Sequence, residues 1–181
     1  MSIRVSIVTT RTGDDGTTGL GDKSRVLKSA PRIHALGEVD ELNSVIGLWR
    51  SQPLPEAIDR LLARIQNELF DLGGELSIPG WTALREEQVL ALEEATRQAN
   101  EGLGALQEFI LPGGCPAAAA AHLARSVARR AERAVVALAQ EETINPPVRQ
   151  YLNRLSDLCF VLARQLNHQA GEPDVLWSRE P

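Results

Sequence analysis

Residues 56–78, EAIDRLLARIQNELFDLGGELSI, decide the fold. Ile58, Leu61, Leu62, Ile65, Leu69, Leu72 and Leu76 recur at intervals of three and four, so they form one apolar stripe along a helix. Arg60, Arg64, Glu68, Asp71 and Glu75 fall away from that stripe. A helix with one oily face needs neighbours to cover it, and the flanking sequence supplies four more. Upstream, Pro31 suits a first turn, and Ile33, Leu36, Val39, Leu42, Ile46 and Trp49 keep helical spacing to about Gln52 before Pro53 and Pro55 end the helix. Downstream, Pro79-Gly80 introduces a shorter amphipathic segment over 85–101, which Gly102 and Gly104 stop. Two long helices are expected over about 117–141 and 147–170, divided by Asn145-Pro146-Pro147. The intervening ALQEFILPGGCP, 105–116, reads as a structured connection carrying Phe109.

Composition points the same way. A chain of 181 residues makes one domain with a real core, and 43% apolar with 24% charged residues excludes disorder for most of it. Aromatics are only 4%, leaving Ala and Leu to fill the interior, which favours helices over a β-sandwich. No internal repeat of solenoid length is present. The expected fold is therefore all-α, a five-helix up-and-down bundle of ferritin-like architecture in one domain, 1–181. A Gly/Thr-rich loop occupies 1–30, the helices 31–170 and a tail 171–181, with a short extended apolar piece at 1–8.

Nineteen basic against 24 acidic residues give a net charge of −5, so no overall field attracts nucleic acid or an anionic membrane surface. No apolar run reaches membrane-spanning length and the first 30 residues lack a signal-peptide core, from which a cytoplasmic address is expected. Cys115 and Cys159 are expected to be free thiols.

Chemistry concentrates in three places. On the 117–141 helix, Leu123, Val127, Ala134 and Leu138 share one face, while Arg125, Arg129, Glu132 and Arg133 lie nearly opposite. This is either a solvated face in which Glu132 pairs with an arginine or an anion clamp, for which the planar guanidinium fork is suited. On the last helix, Leu152, Leu155, Leu158, Cys159, Leu162 and Leu166 supply the core. Its reverse face mixes Asn153, Asp157 and Arg164 with Phe160 and Val161, as expected of a surface covered by a ligand or another subunit. On the first helix, Glu38, Asp40 and Asn43 border the apolar stripe, and a buried carboxylate needs a cation, for which the bundle arginines are available.

The segment 9–30 is rich in Gly, Thr and Asp. It fails the GxxxxGK[ST] phosphate-loop pattern by one residue, because Asp22 separates Gly21 from Lys23, yet its glycine backbone with Arg11, Lys23, Arg25 and Lys28 could wrap a polyphosphate. His34, His122 and His168 lack the Glu-x-x-His spacing of a di-metal bundle, and no CxxC or HExxH occurs.

Five blocks in order, TTRTGDDGTTG at 9–19, GEVDELNSVIG at 37–47, FILPGG at 109–114, ARSVARRAER at 124–133 and NRLSD at 153–157, resemble the PduO-type ATP:cob(I)alamin adenosyltransferases over about 8–177. The resemblance implies a homotrimer with ATP and corrinoid bound between subunits, and transfer of the 5′-deoxyadenosyl group of ATP to cob(I)alamin, giving adenosylcobalamin and triphosphate. By matching position it implies that Thr10, Arg11, Thr12, Gly13, Thr18, Gly19 and Lys28 fold over the phosphates, with Mg2+ on the triphosphate. It further implies Arg129 as the main catalytic cation, with Arg130, Glu132, Arg133 and Asn153 completing the nucleotide site. Asp40 is expected to pair with Arg125 across the subunit boundary. Phe109 is expected in an apolar wall beneath the corrin that keeps the lower axial ligand off cobalt, with Trp177 either a lid or exposed in the tail. A reductase supplying cobalt(I) and an adenosylcobalamin-dependent enzyme are the implied partners. A non-catalytic ATP/corrinoid chaperone or sensor of the same fold, and a helical scaffold whose arginines only pair, are the alternatives.

Overall fold

In the computed structural model of the chain, which describes residues 9–179, the stripe of 56–78 is buried as the spacing requires. The elements are β1 (Thr17–Gly19), β2 (Arg25–Leu27), α1 (Pro31–Arg50), α2 (Glu56–Ser77), α3 (Glu86–Asn100), α4 (Pro116–Leu138) and α5 (Pro146–Ala170). The extended piece expected at 1–8 lies outside the described residues. Proline opens α1, α4 and α5, where its missing N–H costs nothing, and Gly171, at φ 73°, closes α5 in the left-handed conformation.

Contacts run α2 to α1, α1 to α4, α4 to α5 and α5 to α3, so the helices of the bundle pack in the series α2–α1–α4–α5–α3 with α4 in the middle. Leu42, Ile46, Leu62, Ile65, Leu72, Leu152 and Leu155 are fully enclosed, each contributing about 1.5–3 kcal/mol by leaving water.

Two expectations need correction. The buried side of α4 is rotated from the expected one: Val127 and Leu138 are buried, but Leu123 is 47% exposed, and Ala121, Ala124, Ala128, Ala131 and Val135 complete the core face. Alanines let the backbone of α4 approach both α1 and α5, so size and not hydrophobicity alone sets its rotation. On α2, Glu75 is buried despite lying off the stripe. The segment after the helix folds over it, and the Ala83 and Leu84 amides donate to its Oε2 at 2.7 and 3.0 Å. Glu68, on the same flank, accepts a 2.6 Å hydrogen bond from the buried Tyr151 hydroxyl.

The Gly/Thr-rich loop contains a small antiparallel hairpin, β1 with β2, pairing Thr18 with Val26. The Gly21 amide donates to Ser77 O at 2.8 Å, which fastens the hairpin to the end of α2. A methyl group at Gly21 would stand 2.4 Å from Ile78 Cγ1.

The tail is not loose. Leu111 N donates to Val175 O at 2.8 Å and Trp177 N to Phe109 O at 2.7 Å, around an antiparallel bridge between Ile110 and Leu176.

Candidate active site

The α4–α5 seam carries the site. Positions 122, 125, 129 and 132 share one side of α4, and 153, 157, 160 and 164 share one side of α5. At one end of the seam, Asn153 Nδ2 donates to Glu132 Oε1 at 3.0 Å, and Asn153 Oδ1 accepts from Arg154 at 2.7 Å. In the middle, Arg125, Arg129, Ser156, Asp157, Phe160 and Val161 line a cleft of about 190 Å³. At the other end, Phe109, Ile110, Pro112, His122, Arg125 and Phe160 line a cavity of about 520 Å³. Arg125 and Phe160 belong to both, so a cationic cleft and a largely apolar cavity share one wall.

The arginines are differently committed. The Arg129 guanidinium is exposed and has no hydrogen-bond or ion-pair partner among the described residues. Arg133 bonds only its own helix, at Arg129 O, 3.0 Å. Arg125 is half-buried and its Nε is sealed from solvent without a partner. Arg130 bonds Glu38 at 2.5 Å and Glu41, so the partner expected for the buried α1 carboxylate is found there, and both acids raise the Arg130 pKa. Asp40 is exposed on α1 and makes no ion pair among the described residues, so the expected Asp40–Arg125 pair does not form within one chain.

The loop residues Thr10 to Lys28 form a separate structure. Arg11 stands at φ 59°, and the Thr10 and Thr12 hydroxyls are 2.9 Å apart. Arg25 donates to Thr12 O at 2.6 Å and to the Thr17 hydroxyl, which itself donates to Asp15 Oδ1 at 2.7 Å. Hydrogen bonds from the Thr17 hydroxyl and amide hold the Asp15 carboxyl below its usual range, as Ser24 does for Asp22. Gly13 leaves room for the Lys28 ammonium, which a Cβ would approach to 3.1 Å. Thr18 and Gly19 lie on β1. No hydrogen bond or ion pair joins this loop to Arg125, Arg129, Glu132, Arg133 or Asn153 among the described residues.

Phe109 is 79% exposed at the cavity rim. Its connection is clamped by Asn167, buried on α5, whose Oδ1 accepts from Cys115 N at 3.0 Å and whose Nδ2 donates to Gly113 O at 3.1 Å. Gly114, at φ 99°, is required here, because a Cβ would sit 2.0 Å from Asn167 Oδ1. Arg164 spans the other side of the rim, donating to Asp174 at 2.8 Å and to Gly104 O at 2.8 Å.

Sequence reasoning missed Asn167, Asp174 and His122. Only His122 left a signal, its spacing of three and seven from Arg125 and Arg129. It is 4% exposed, and neither ring nitrogen has a partner among the described residues. An unsatisfied buried polar group of this kind costs about 1–3 kcal/mol. Burial, then the nearby Arg125 cation, lower its pKa below 6.5, opposed by Asp174. Between the lowered value and 6.5 the unfolded chain therefore binds more protons than the folded one, so stability is complete above 6.5 and falls as pH drops through that window. The melting temperature is expected to fall between pH 7.5 and 5.5, by no more than about 1.4 kcal/mol of stability per pH unit, and His122→Leu should flatten the profile. An identical slope in the variant would assign the titration elsewhere.

A profile of the cobalamin adenosyltransferase family matches residues 8–166. The chain belongs to the cobalamin adenosyltransferase family. Within it, a cobalamin adenosyltransferase of Cupriavidus metallidurans is 59% identical over 99% of this chain and 98% of its own length. A corrinoid adenosyltransferase of Bacillus subtilis is 44% identical, covering 94% and 91%. Among solved structures, a variant PduO-type ATP:corrinoid adenosyltransferase from Lactobacillus reuteri complexed with cobalamin and ATP superposes with a TM-score of 0.91 at 38% identity, covering 94% of this chain and 99% of that one. A second variant of that enzyme, complexed with ATP, gives 0.91 at 39% identity, covering 94% and 100%. This adenosyltransferase-family chain thus keeps the whole bundle of its relatives.

Proposed function

We propose that the chain is an ATP:corrinoid adenosyltransferase that moves the 5′-deoxyadenosyl group of ATP to cob(I)alamin, releasing adenosylcobalamin and triphosphate. The observation that carries this reading is the wall shared by the largely apolar cavity and the arginine cleft, which suits a macrocycle face held beside an anion. In the reaction the cobalt(I) electron pair forms the bond to the ribose 5′ carbon as the carbon–oxygen bond to the triphosphate breaks. No side-chain nucleophile is needed; the chain supplies position and charge.

Arg129, free to turn to a ligand, takes the charge that grows on the leaving triphosphate, with Arg133 beside it. Glu132 and Asn153, already bonded to each other, orient the nucleoside end. Thr10, Arg11, Thr12, Gly13, Thr18, Gly19 and Lys28 close over the phosphates. Among the described residues that loop makes no bond to the seam in its own chain, which supports a site completed by a neighbouring subunit of a homotrimer. Asp40 then pairs with Arg125 across that boundary. Arg130 would reach phosphate only by leaving Glu38 and Glu41, and otherwise fixes α4 against α1. Phe109 and Phe160 wall the corrinoid from below. Magnesium would ride on the triphosphate oxygens and water, as its chemistry allows; among the described residues no three His, Cys, Asp or Glu side chains gather to hold it.

A cytoplasmic location is part of the same reading, supported by two free cysteines. Among the described residues no helix is long and apolar enough to cross a membrane. A reductase that delivers cobalt(I) and an enzyme that consumes the product are the protein partners it requires.

The test is an anaerobic assay with ATP and chemically reduced cob(I)alamin, following loss of cob(I)alamin absorbance and release of triphosphate. Equal yields of adenosylcobalamin and triphosphate are expected. ATP binding without either product would make the chain a carrier or sensor, and no ATP binding would leave the arginines a structural role only. In the same assay Gly21→Ala is expected to raise the KM for ATP up to about tenfold with kcat little changed, because the new methyl group lifts the hairpin off α2. An unchanged KM would show that the hairpin's seat does not matter.

A further inference from the structure

Among the described residues, buried polar atoms without partners occur on three side chains of this region: both ring nitrogens of His122 and Arg125 Nε, on residues that line the apolar cavity, and Asp174 Oδ1 in the tail. The Arg125 cation on α4 disfavours protonation of His122, and the Asp174 carboxylate in the C-terminal tail favours it. Arg164 of α5 reaches the same place through Asp174. The His122 ring meets Phe160 edge-on, with centroids 6.2 Å apart and planes at 69°. Leucine would fill this space without leaving nitrogens unbonded, so packing alone does not account for a histidine here.

We propose that His122 is a positioning residue of the corrinoid wall: it fixes the angle of Phe160, and a neutral hydrogen-bonding group seated with the corrinoid completes its ring nitrogens. This rests on reading the 520 Å³ cavity as the corrinoid site. The neutral imidazole offers one donor and one acceptor, which matches either an ordered water or a carboxamide arm of a corrin rim, since each also both donates and accepts. Burial and the Arg125 cation keep the ring in this neutral form. His122 acts through Phe160 and through the group bonded to its ring, and takes no part in the bond changes of the reaction.

The experiment compares wild type, His122→Leu and His122→Gln as full-length protein. It reads melting temperature, the KM for ATP, kcat/KM for cob(I)alamin, and the spectroscopic signal of four-coordinate cob(II)alamin bound with ATP. His122→Leu is expected to melt at the wild-type temperature or above and to keep the KM for ATP within about twofold. Its kcat/KM for the corrinoid should fall about tenfold, with the four-coordinate signal falling in parallel. His122→Gln, which restores a donor and an acceptor, should recover a substantial part of both. A corrinoid with one rim carboxamide converted to a carboxylate separates the sources. If an amide arm is the partner, wild type discriminates against that analogue and the leucine variant does not; if water is, neither discriminates.

A leucine variant equal to wild type in kcat/KM for the corrinoid overturns the proposal. So does loss of melting temperature and of both substrates together in both variants, which is the pattern of a plain core residue. Absence of ATP-dependent turnover in wild type would instead overturn the adenosyltransferase reading, so the two failures are distinct.

Discussion

Arg129→Ala lowers kcat by about 10²–10³-fold, the loss typical when one preorganised charge is withdrawn from a developing anion. The effect should fall on kcat more than on the KM for either substrate, because triphosphate carries more charge as it departs than as part of ATP. The fold should not notice: the guanidinium is exposed and holds nothing together among the described residues, so melting temperature and oligomeric state should match wild type. Arg129→Lys should recover little, since an ammonium cannot offer the planar two-donor fork. Steady-state kinetics with triphosphate as the measured product decide the matter. An active Arg129→Ala enzyme would remove the main support for the assignment of the cleft.

Asp40→Asn weakens assembly and turnover together. Asp40 is exposed and Arg125 half-buried, and neither side chain has a hydrogen-bond or ion-pair partner among the described residues, so each lacks the partner that the other could be in a neighbouring subunit. Truncating one member of a buried interfacial charge pair costs about 2–5 kcal/mol, which corresponds to a loss of more than about 30-fold in association per contact. Sedimentation at decreasing protein concentration should show the variant dissociating where wild type stays assembled. Activity should return as concentration is raised. The double variant Asp40→Asn with Arg125→Gln should be no worse than either alone. Equal sedimentation of Asp40→Asn and wild type would show that the pair does not bridge subunits.

All five helices were readable in the sequence because periodicity is a local property, and proline and glycine mark ends through backbone constraints that need no tertiary partner. The rotation of α4 was not readable. Leu123 outweighs alanine on any hydrophobic scale, yet a helix wedged between two neighbours buries its small side and turns the large residue outward. Glu75 fails for a similar reason: its cover comes from Ala83 and Leu84, beyond the helix that the stripe describes. At the site, the arginines, Asn153 and Phe109 stood in short motifs and could be named in advance. Arg130 stood in the same motif, but its partners Glu38 and Glu41 lie about 90 residues away, and only the packing of α1 on α4 reveals them. Asn167 and Asp174 sit in unremarkable stretches and act through backbone atoms or a distant arginine, so neither had a pattern to find.

The connection 104–115 at the cavity rim is tied to a stretch distant in sequence, 171–177, and Arg164 holds a carbonyl of one and a carboxylate of the other in the same guanidinium. Leu111 and Trp177 add the bonds between the Phe109 connection and the tail. Mechanically this makes a zip fastener with its slider on α5. The rim cannot loosen at Phe109 without also breaking its bond to Trp177 in the tail.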